Sequence, residues 1–116
     1  MLTQELEVYK IAHALTLQIY KLTDNFPGAE QYGLVSQMRR AAVSINSNLM
    51  EGSARRTHKE KLQFIGISRG STAELKYQTM VARDLGFMES EDANQIMSQL
   101  DLVARMLTGL IKLNQE

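Results

Sequence analysis

The chain has no cysteine and no tryptophan, a single proline, two histidines and seven glycines in 116 residues. Without cysteine there can be no disulfide, no thiolate zinc site and no thiol nucleophile. Two histidines leave almost nothing for an imidazole metal centre, so neither a metal nor another cofactor is expected. One proline and few glycines provide little of the punctuation that a many-stranded β protein needs. No apolar run approaches the roughly 20 residues that span a bilayer, and the opening MLTQELEVYK is charged rather than signal-like. What is present is ordinary for a globular protein, with 44% hydrophobic and 22% charged residues. Two domains would each be too small to bury a stable core. The expectation is a soluble, cytoplasmic, single domain over residues 1–116.

The formal net charge is zero, yet the charges are segregated along the chain. Residues 1–38 hold two lysines against four acids, and residues 84–116 hold two basic groups against six acids. Between them, residues 39–76 hold eight basic groups against three acids. A basic middle of this kind can hold phosphate even in a neutral chain.

Four segments have helical periodicity, at about 3–22, 30–55, 58–85 and 90–114. In the first, Thr3 can N-cap, and Val8, Ala12, Leu15, Ile19 and Leu22 recur on one face. The stretch TDNFPGAE stops it. The second carries Leu34, Met38, Ala41, Ala42, Ile45 and Leu49 as its stripe and weakens at Gly52-Ser53. Thr57 can cap the third, which ends before Gly86. The fourth opens with acids, as a helix N-terminus prefers, and continues through Ile96, Leu100, Val103, Leu107 and Leu110. Short connections make the fold an all-α, antiparallel up-down four-helix bundle.

The helices carry more apolar surface than one bundle requires. Val43 and Met50 lie opposite the main stripe of the second helix, and the first adds a strip of Leu6, Tyr9, Leu17 and Tyr20. The third is apolar on two sides, with Leu62, Ala73 and Met80 on one and Phe64, Ile67, Leu75, Ala82 and Leu85 on the other. This surplus points to self-association. Gly66 and Gly70, inside the third helix, cost about 1 kcal/mol each relative to alanine, so they are expected to mark a tight helix crossing.

Catalytic signatures are missing. Lys10 and Arg55 stand three residues before His13 and His58, so the Glu-x-x-His pairs of di-iron bundles are absent. There is no Walker lysine loop, no GxGxxG and no G-x-S-x-G elbow. His13 shares a helix sector with Tyr9 and Leu17 and reads as a hydrogen-bonded helix residue. Arg56 and His58 could steady phosphate and move protons, but they stand closer together than in helical ribonuclease bundles. The chain is therefore expected not to be an enzyme.

The second helix has a polar strip of Arg40, Ser44, Asn48, Glu51 and Arg55. Arg40, Ser44, Asn48 and Glu51 read as a structural network within the bundle or between subunits, with Glu51 pairing Arg55 one turn on. The doublets Arg39-Arg40 and Arg55-Arg56 lie 16 residues apart, roughly 24 Å of helix. Lys59 and Lys61 extend the second doublet into the third helix. Arg39, Arg55, Arg56, Lys59 and Lys61 are the candidate phosphate contacts. No aromatic residues interleave with them, so any binding is expected to be driven by the nucleic-acid backbone.

The stretch FPGAEQYGLVSQMRRAAVSINSNLMEG, followed by ISRGSTAEL and preceded by VYKIAHAL and IYKLT, resembles the bacterial four helix bundle protein family. Members of that family are encoded in intervening sequences of 23S ribosomal RNA genes, and the accessory variability protein of diversity-generating retroelements is a relative. Arg39 and Arg40 fall on its arginine pair, Asn48, Glu51 and Gly52 on N-x-x-EG, and Ser71 and Glu74 on GS-x-x-EL. The resemblance implies a bundle that assembles as a homopentameric barrel. In the retroelement relative it further implies binding of nucleic acid and of a reverse transcriptase. Two departures stand out: Asn46 occupies a position where proline is common, which should leave the second helix straighter, and Leu49-Met50 replace a frequent isoleucine-alanine.

The sequence thus leads to a non-enzymatic, oligomeric scaffold that binds RNA or DNA through a basic ring. Its rival is a protein-interaction adaptor that docks a nucleic-acid enzyme, such as a reverse transcriptase, and touches no nucleic acid itself.

Overall fold

Four helices account for most of the chain in the computed structural model, which describes residues 1–115: α1 (Thr3–Thr23), α2 (Ser36–Ser53), α3 (His58–Asp84) and α4 (Ser90–Asn114). Glu116, the last residue of the expected domain, lies outside the described residues. Among the described residues there is no strand. Each helix packs on the next, and α1 also packs on α4, which closes a bundle 45 × 24 × 18 Å. Residues expected on the inner stripes form its core, among them Val8, Ile19, Met38, Ile45, Leu100 and Leu107, all at most 1% exposed. Among the described residues no helix is long and apolar enough to cross a membrane.

The helix ends follow local chemistry. Thr57 caps α3, its hydroxyl accepting from the Glu60 N–H at 3.2 Å. Beyond the Leu85 cap of α3 the chain turns at Gly86, whose φ of +78° admits glycine at little steric cost. The N–H groups of Gly86 and Phe87 donate to the carbonyls of Arg83 and Ala82 at 3.0 and 2.9 Å, the paired bonds of a Schellman stop. Phe87 then packs against Phe26 at 5.8 Å between ring centres, tying the α3–α4 turn to the α1–α2 turn.

Three expectations need correction. Thr3 does not cap α1: Leu2 holds the cap position, with no side-chain bond, and Thr3 is already helical. The second helix does not begin at Glu30. A 3₁₀ turn (Gly28–Glu30) and a π turn (Gln31–Val35) precede it, and Gly33 has φ −107° and ψ −108°, outside the helical region. The Glu30 carboxylate accepts from the Leu34 N–H at 3.4 Å across that break. Helical spacing of Leu34 and Met38 hides the break, because a π turn shifts register without removing apolar residues.

Gly66 and Gly70 are the third case. A Cβ at either would meet nothing within 4 Å, so neither marks a crossing inside the bundle. The close approach is at Gly52, where a Cβ would lie 3.0 Å from Phe64 Cβ and 3.5 Å from the Lys61 carbonyl oxygen.

Of the second apolar sides expected on α3, Leu75 and Ala82 belong to the core. Leu62, Phe64 and Met80 are half-buried, and Ile67, Ala73 and Leu85 are exposed.

Candidate nucleic-acid interface

The corner between α2 and α3 carries most of the basic candidates. Because Gly52 has no side chain, the first turns of α3 lie directly on the end of α2. The chain then turns through Ala54–Thr57 in four residues. Arg55 is held at this corner from two sides. Its guanidinium donates to Glu51 Oε2 at 2.9 Å, as the four-residue spacing predicts. Its Cζ also lies 4.8 Å from the centre of the Phe64 ring. Arg56 and Lys59 are exposed and Lys61 is half-buried. Among the described residues none of these three has an ion-pair partner. All three sit at or next to the first turn of the 27-residue α3, whose N-terminus adds partial positive charge. Its first turn also contains Glu60, the acid in this group.

Arg39 is not part of this corner. It lies near the other end of α2, where its guanidinium is already engaged three ways. Nε donates to Thr23 Oγ1 at 2.9 Å, while Nη2 donates to the Tyr20 carbonyl at 3.1 Å and to Asp24 Oδ1 at 2.8 Å. The group lies 4.7 Å from the Tyr20 ring centre. These bonds fasten the start of α2 to the end of α1, so the five basic candidates form one group of four and one separate, occupied side chain.

The polar strip of α2 divides in the same way. Asn48 Nδ2 donates to both the carbonyl and the hydroxyl oxygen of Ser44 at 2.9 Å, and the Ser44 and Ser71 hydroxyls share a hydrogen bond of 2.8 Å between α2 and α3. Glu51 pairs with Arg55. Arg40 joins none of this: it is exposed and, among the described residues, has no ion-pair partner. Asn46 donates to the Tyr9 carbonyl at 2.9 Å, linking α2 to α1, and α2 runs unbroken past it, as the absence of proline predicts.

His13 is exposed and stacks on Tyr9, ring centres 6.0 Å apart and planes within 2°; no side-chain hydrogen bond accompanies the stack. His58 is exposed at the start of α3. Among the described residues no three His, Asp or Glu side chains converge as a metal site would require.

Two features escaped the sequence reading. The face of α3 turned inward carries hydroxyls: Ser68 donates to the Ile45 carbonyl at 2.7 Å, Thr72 to the Ser68 carbonyl at 2.9 Å and Thr79 to the Leu75 carbonyl at 2.8 Å. Their four- and seven-residue spacing was the signal. Along α1 and α2, Tyr20 and Tyr32 share a groove with Arg39 and Arg40. Tyr32 lies in the π turn, which periodicity does not reveal.

Comparison with known proteins adds two findings. A family model, 23S rRNA-intervening sequence protein, matches residues 4–109. A protein of unknown function from Bacteroides thetaiotaomicron, assigned to the S23 ribosomal protein family, has the same fold. Its TM-score is 0.83 at 18% identity, over 95% of this chain and 99% of that one. No curated protein matches this chain.

Proposed function

Because the chain belongs to the 23S rRNA-intervening sequence protein family, we propose that it is a cytoplasmic, non-enzymatic, oligomeric scaffold that holds the phosphate backbone of RNA or DNA on its α2–α3 corner. The observation that carries this reading is the group Arg56, Lys59 and Lys61, without ion-pair partners among the described residues, beside Arg55 at the N-terminus of a long helix. Arginine offers a planar fork to phosphate oxygens, lysine a mobile point charge, and the helix end a complementary partial charge. One corner offers only a few contacts, too few for tight binding alone. Copies of it on the rim of a homo-oligomer, a pentamer by family resemblance, would act together and raise avidity by about 10²–10⁴.

Fluorescence anisotropy against a structured RNA and a DNA duplex, at about 50 and 200 mM salt, tests the reading. Binding that weakens steeply with salt and disappears in the variant Arg56→Glu/Lys59→Glu is the expected result. Absence of binding to either ligand at the lower salt overturns it in favour of the protein adaptor, a reading supported by the zero net charge. RNA cleavage that is lost in His58→Ala overturns the non-enzymatic part.

A further inference from the structure

Where the start of α2 passes the second half of α3, a concavity of about 580 Å³ opens between the two helices. It lies toward the end of α2 away from Arg55 and is separate from the basic corner. Leu34 and Val81 supply apolar surface, and Tyr77, 66% exposed, supplies an aromatic wall. Arg40 faces the concavity from α2, and Glu74 and Gln78 face it from α3.

Helix register brings the two charges together. The Ser44–Ser71 hydrogen bond of 2.8 Å sets those two residues level along the bundle. Arg40 lies four residues before Ser44, and Glu74 lies three after Ser71. Because α2 and α3 run antiparallel, Arg40 and Glu74 are level to within about one residue, or ~1.5 Å. Yet they do not pair: among the described residues neither has an ion-pair partner. Packed helices stand about 8–10 Å apart, so a guanidinium on one wall faces a carboxylate on the other across a gap.

Gln78 adds an independent observation. It is 6% exposed, and its Nε2 donates to Glu74 Oε1 over a weak 3.4 Å. Its Oε1 is buried and, among the described residues, has no hydrogen-bond partner. Buried side-chain amides are seldom left so. The wall beside Glu74 therefore holds a second acceptor with nothing to accept from. Charge then selects the ligand. One guanidinium and one carboxylate cancel, so a phosphate or a simple cation meets repulsion here as well as attraction. A zwitterion meets attraction at both ends. The carboxylate and ammonium of an α-amino acid, with a hydrogen bond of about 2.8 Å at each end, span about 8–9 Å, which matches the gap.

We propose that this concavity binds a free α-amino acid with an apolar side chain, its carboxylate on Arg40 and its ammonium on Glu74. The planar fork of Arg40 holds both carboxylate oxygens. The ammonium has three donors. Glu74 takes one, and Gln78 Oε1 takes another after a turn about its last, soft side-chain torsion. The ligand's side chain lies against Tyr77, Leu34 and Val81. The α-groups set the specificity, while the open side of the concavity admits side chains of different length.

Titration calorimetry on the full-length chain, with L-phenylalanine as the probe, tests this. Two analogues each remove one charge: N-acetyl-L-phenylalanine lacks the ammonium, and L-phenylalaninamide lacks the carboxylate. The amino acid is expected to bind, and each analogue to bind about tenfold more weakly. Arg40 and Glu74 are exposed, so Arg40→Gln and Glu74→Gln are expected to stay folded, which circular dichroism checks. Each is expected to lower the affinity for L-phenylalanine about tenfold. Each should also move the selectivity. Arg40→Gln brings the amide level with the amino acid, and Glu74→Gln does the same for the N-acetyl analogue. Weaker binding with the selectivity unchanged would overturn the roles given to the two charges. No binding of L-phenylalanine at about 10 mM overturns the proposal. Equal binding of all three probes does so too, by placing recognition in the phenyl ring alone. A third result also overturns it: both single variants lower the unfolding midpoint of the free protein, and the double variant lowers it no further. Arg40 and Glu74 would then be paired with each other, with no gap for a ligand.

Discussion

Two arginine doublets of identical sequence sit near opposite ends of α2 and have different fates. In each, one guanidinium lies over an aromatic ring of a neighbouring helix, Arg39 over Tyr20 and Arg55 over Phe64. In each, the other arginine is left outside: Arg40 is turned about 100° around α2, and Arg56 lies exposed in the turn before α3. The difference lies in what surrounds the stacked member. Arg39 finds a buried threonine hydroxyl, a helix-terminal carbonyl and a carboxylate, and its side chain is 25% exposed. Arg55 finds only Glu51, in the last turn of α2, and remains 42% exposed. One doublet therefore closes a helix junction, and the other keeps its charge available. The comparison teaches that a basic pair keeps its charge available only where the adjoining turn supplies no acceptors.

The largest effect is expected from disturbing the geometry that makes the second corner open. Gly52→Leu drives a side chain into Phe64 Cβ and the Lys61 carbonyl, and overpacking of this kind typically costs about 1–3 kcal/mol. Urea unfolding followed by circular dichroism measures it. Gly109→Ala on α4, where a Cβ meets nothing within 4 Å, is the contrasting change and is expected to add about 0.5–1 kcal/mol of stability. Equal effects from the two would show that the corner is not tightly packed.

Arg39→Ala comes next. It removes three hydrogen bonds at the α1–α2 junction and is expected to cost about 1–2 kcal/mol. Asp24→Asn is expected to cost less than half as much, because Asp24 is 75% exposed and such pairs contribute about 0–1 kcal/mol. Arg39→Lys should recover little, since a point charge cannot hold three acceptors in a fixed fork. A thermal melt in which Asp24→Asn matches Arg39→Ala would place the junction's strength in the ion pair instead. Smaller again is Ser68→Ala, at about 1 kcal/mol, for the bond to the Ile45 carbonyl that joins α3 to α2.

How much of this was legible follows from which forces act locally. The four helices, the Thr57 cap, the stop before Gly86 and the Glu51–Arg55 pair are settled within a few residues, and period and turn chemistry reveal them. The corner residues Arg55, Arg56, Lys59 and Lys61 were legible as a group because they are close in sequence. That Arg39 stands apart was not legible, because its partners Tyr20, Thr23 and Asp24 come from outside α2, and a doublet looks the same whether or not acceptors await it. Gly66 and Gly70 resembled a crossing for the same reason: a glycine spacing reports that room exists, not which backbone fills it. The π turn at Gly33 left the apolar pattern nearly intact, so nothing in the period marked it.

The smallest structural change sharpens the comparison most. Arg56→Ala is expected to alter folding stability by less than about 0.5 kcal/mol, as an exposed residue without ion-pair partners among the described residues should. On the proposed function it removes one phosphate contact per copy, and each contact contributes about 0.9 to the slope of log affinity against log salt on duplex DNA. Arg39→Ala should do the reverse, lowering the unfolding midpoint while leaving that slope unchanged at temperatures where the protein stays folded. Measuring melts and salt slopes on the same two variants therefore gives a crossed result if the doublets have separate roles. A slope that falls in both, with the melt lowered only in Arg39→Ala, would mean that the junction positions the basic corner through α2. A slope unchanged in both would remove Arg56 from the interface and leave Lys59 and Lys61 as the cations to test.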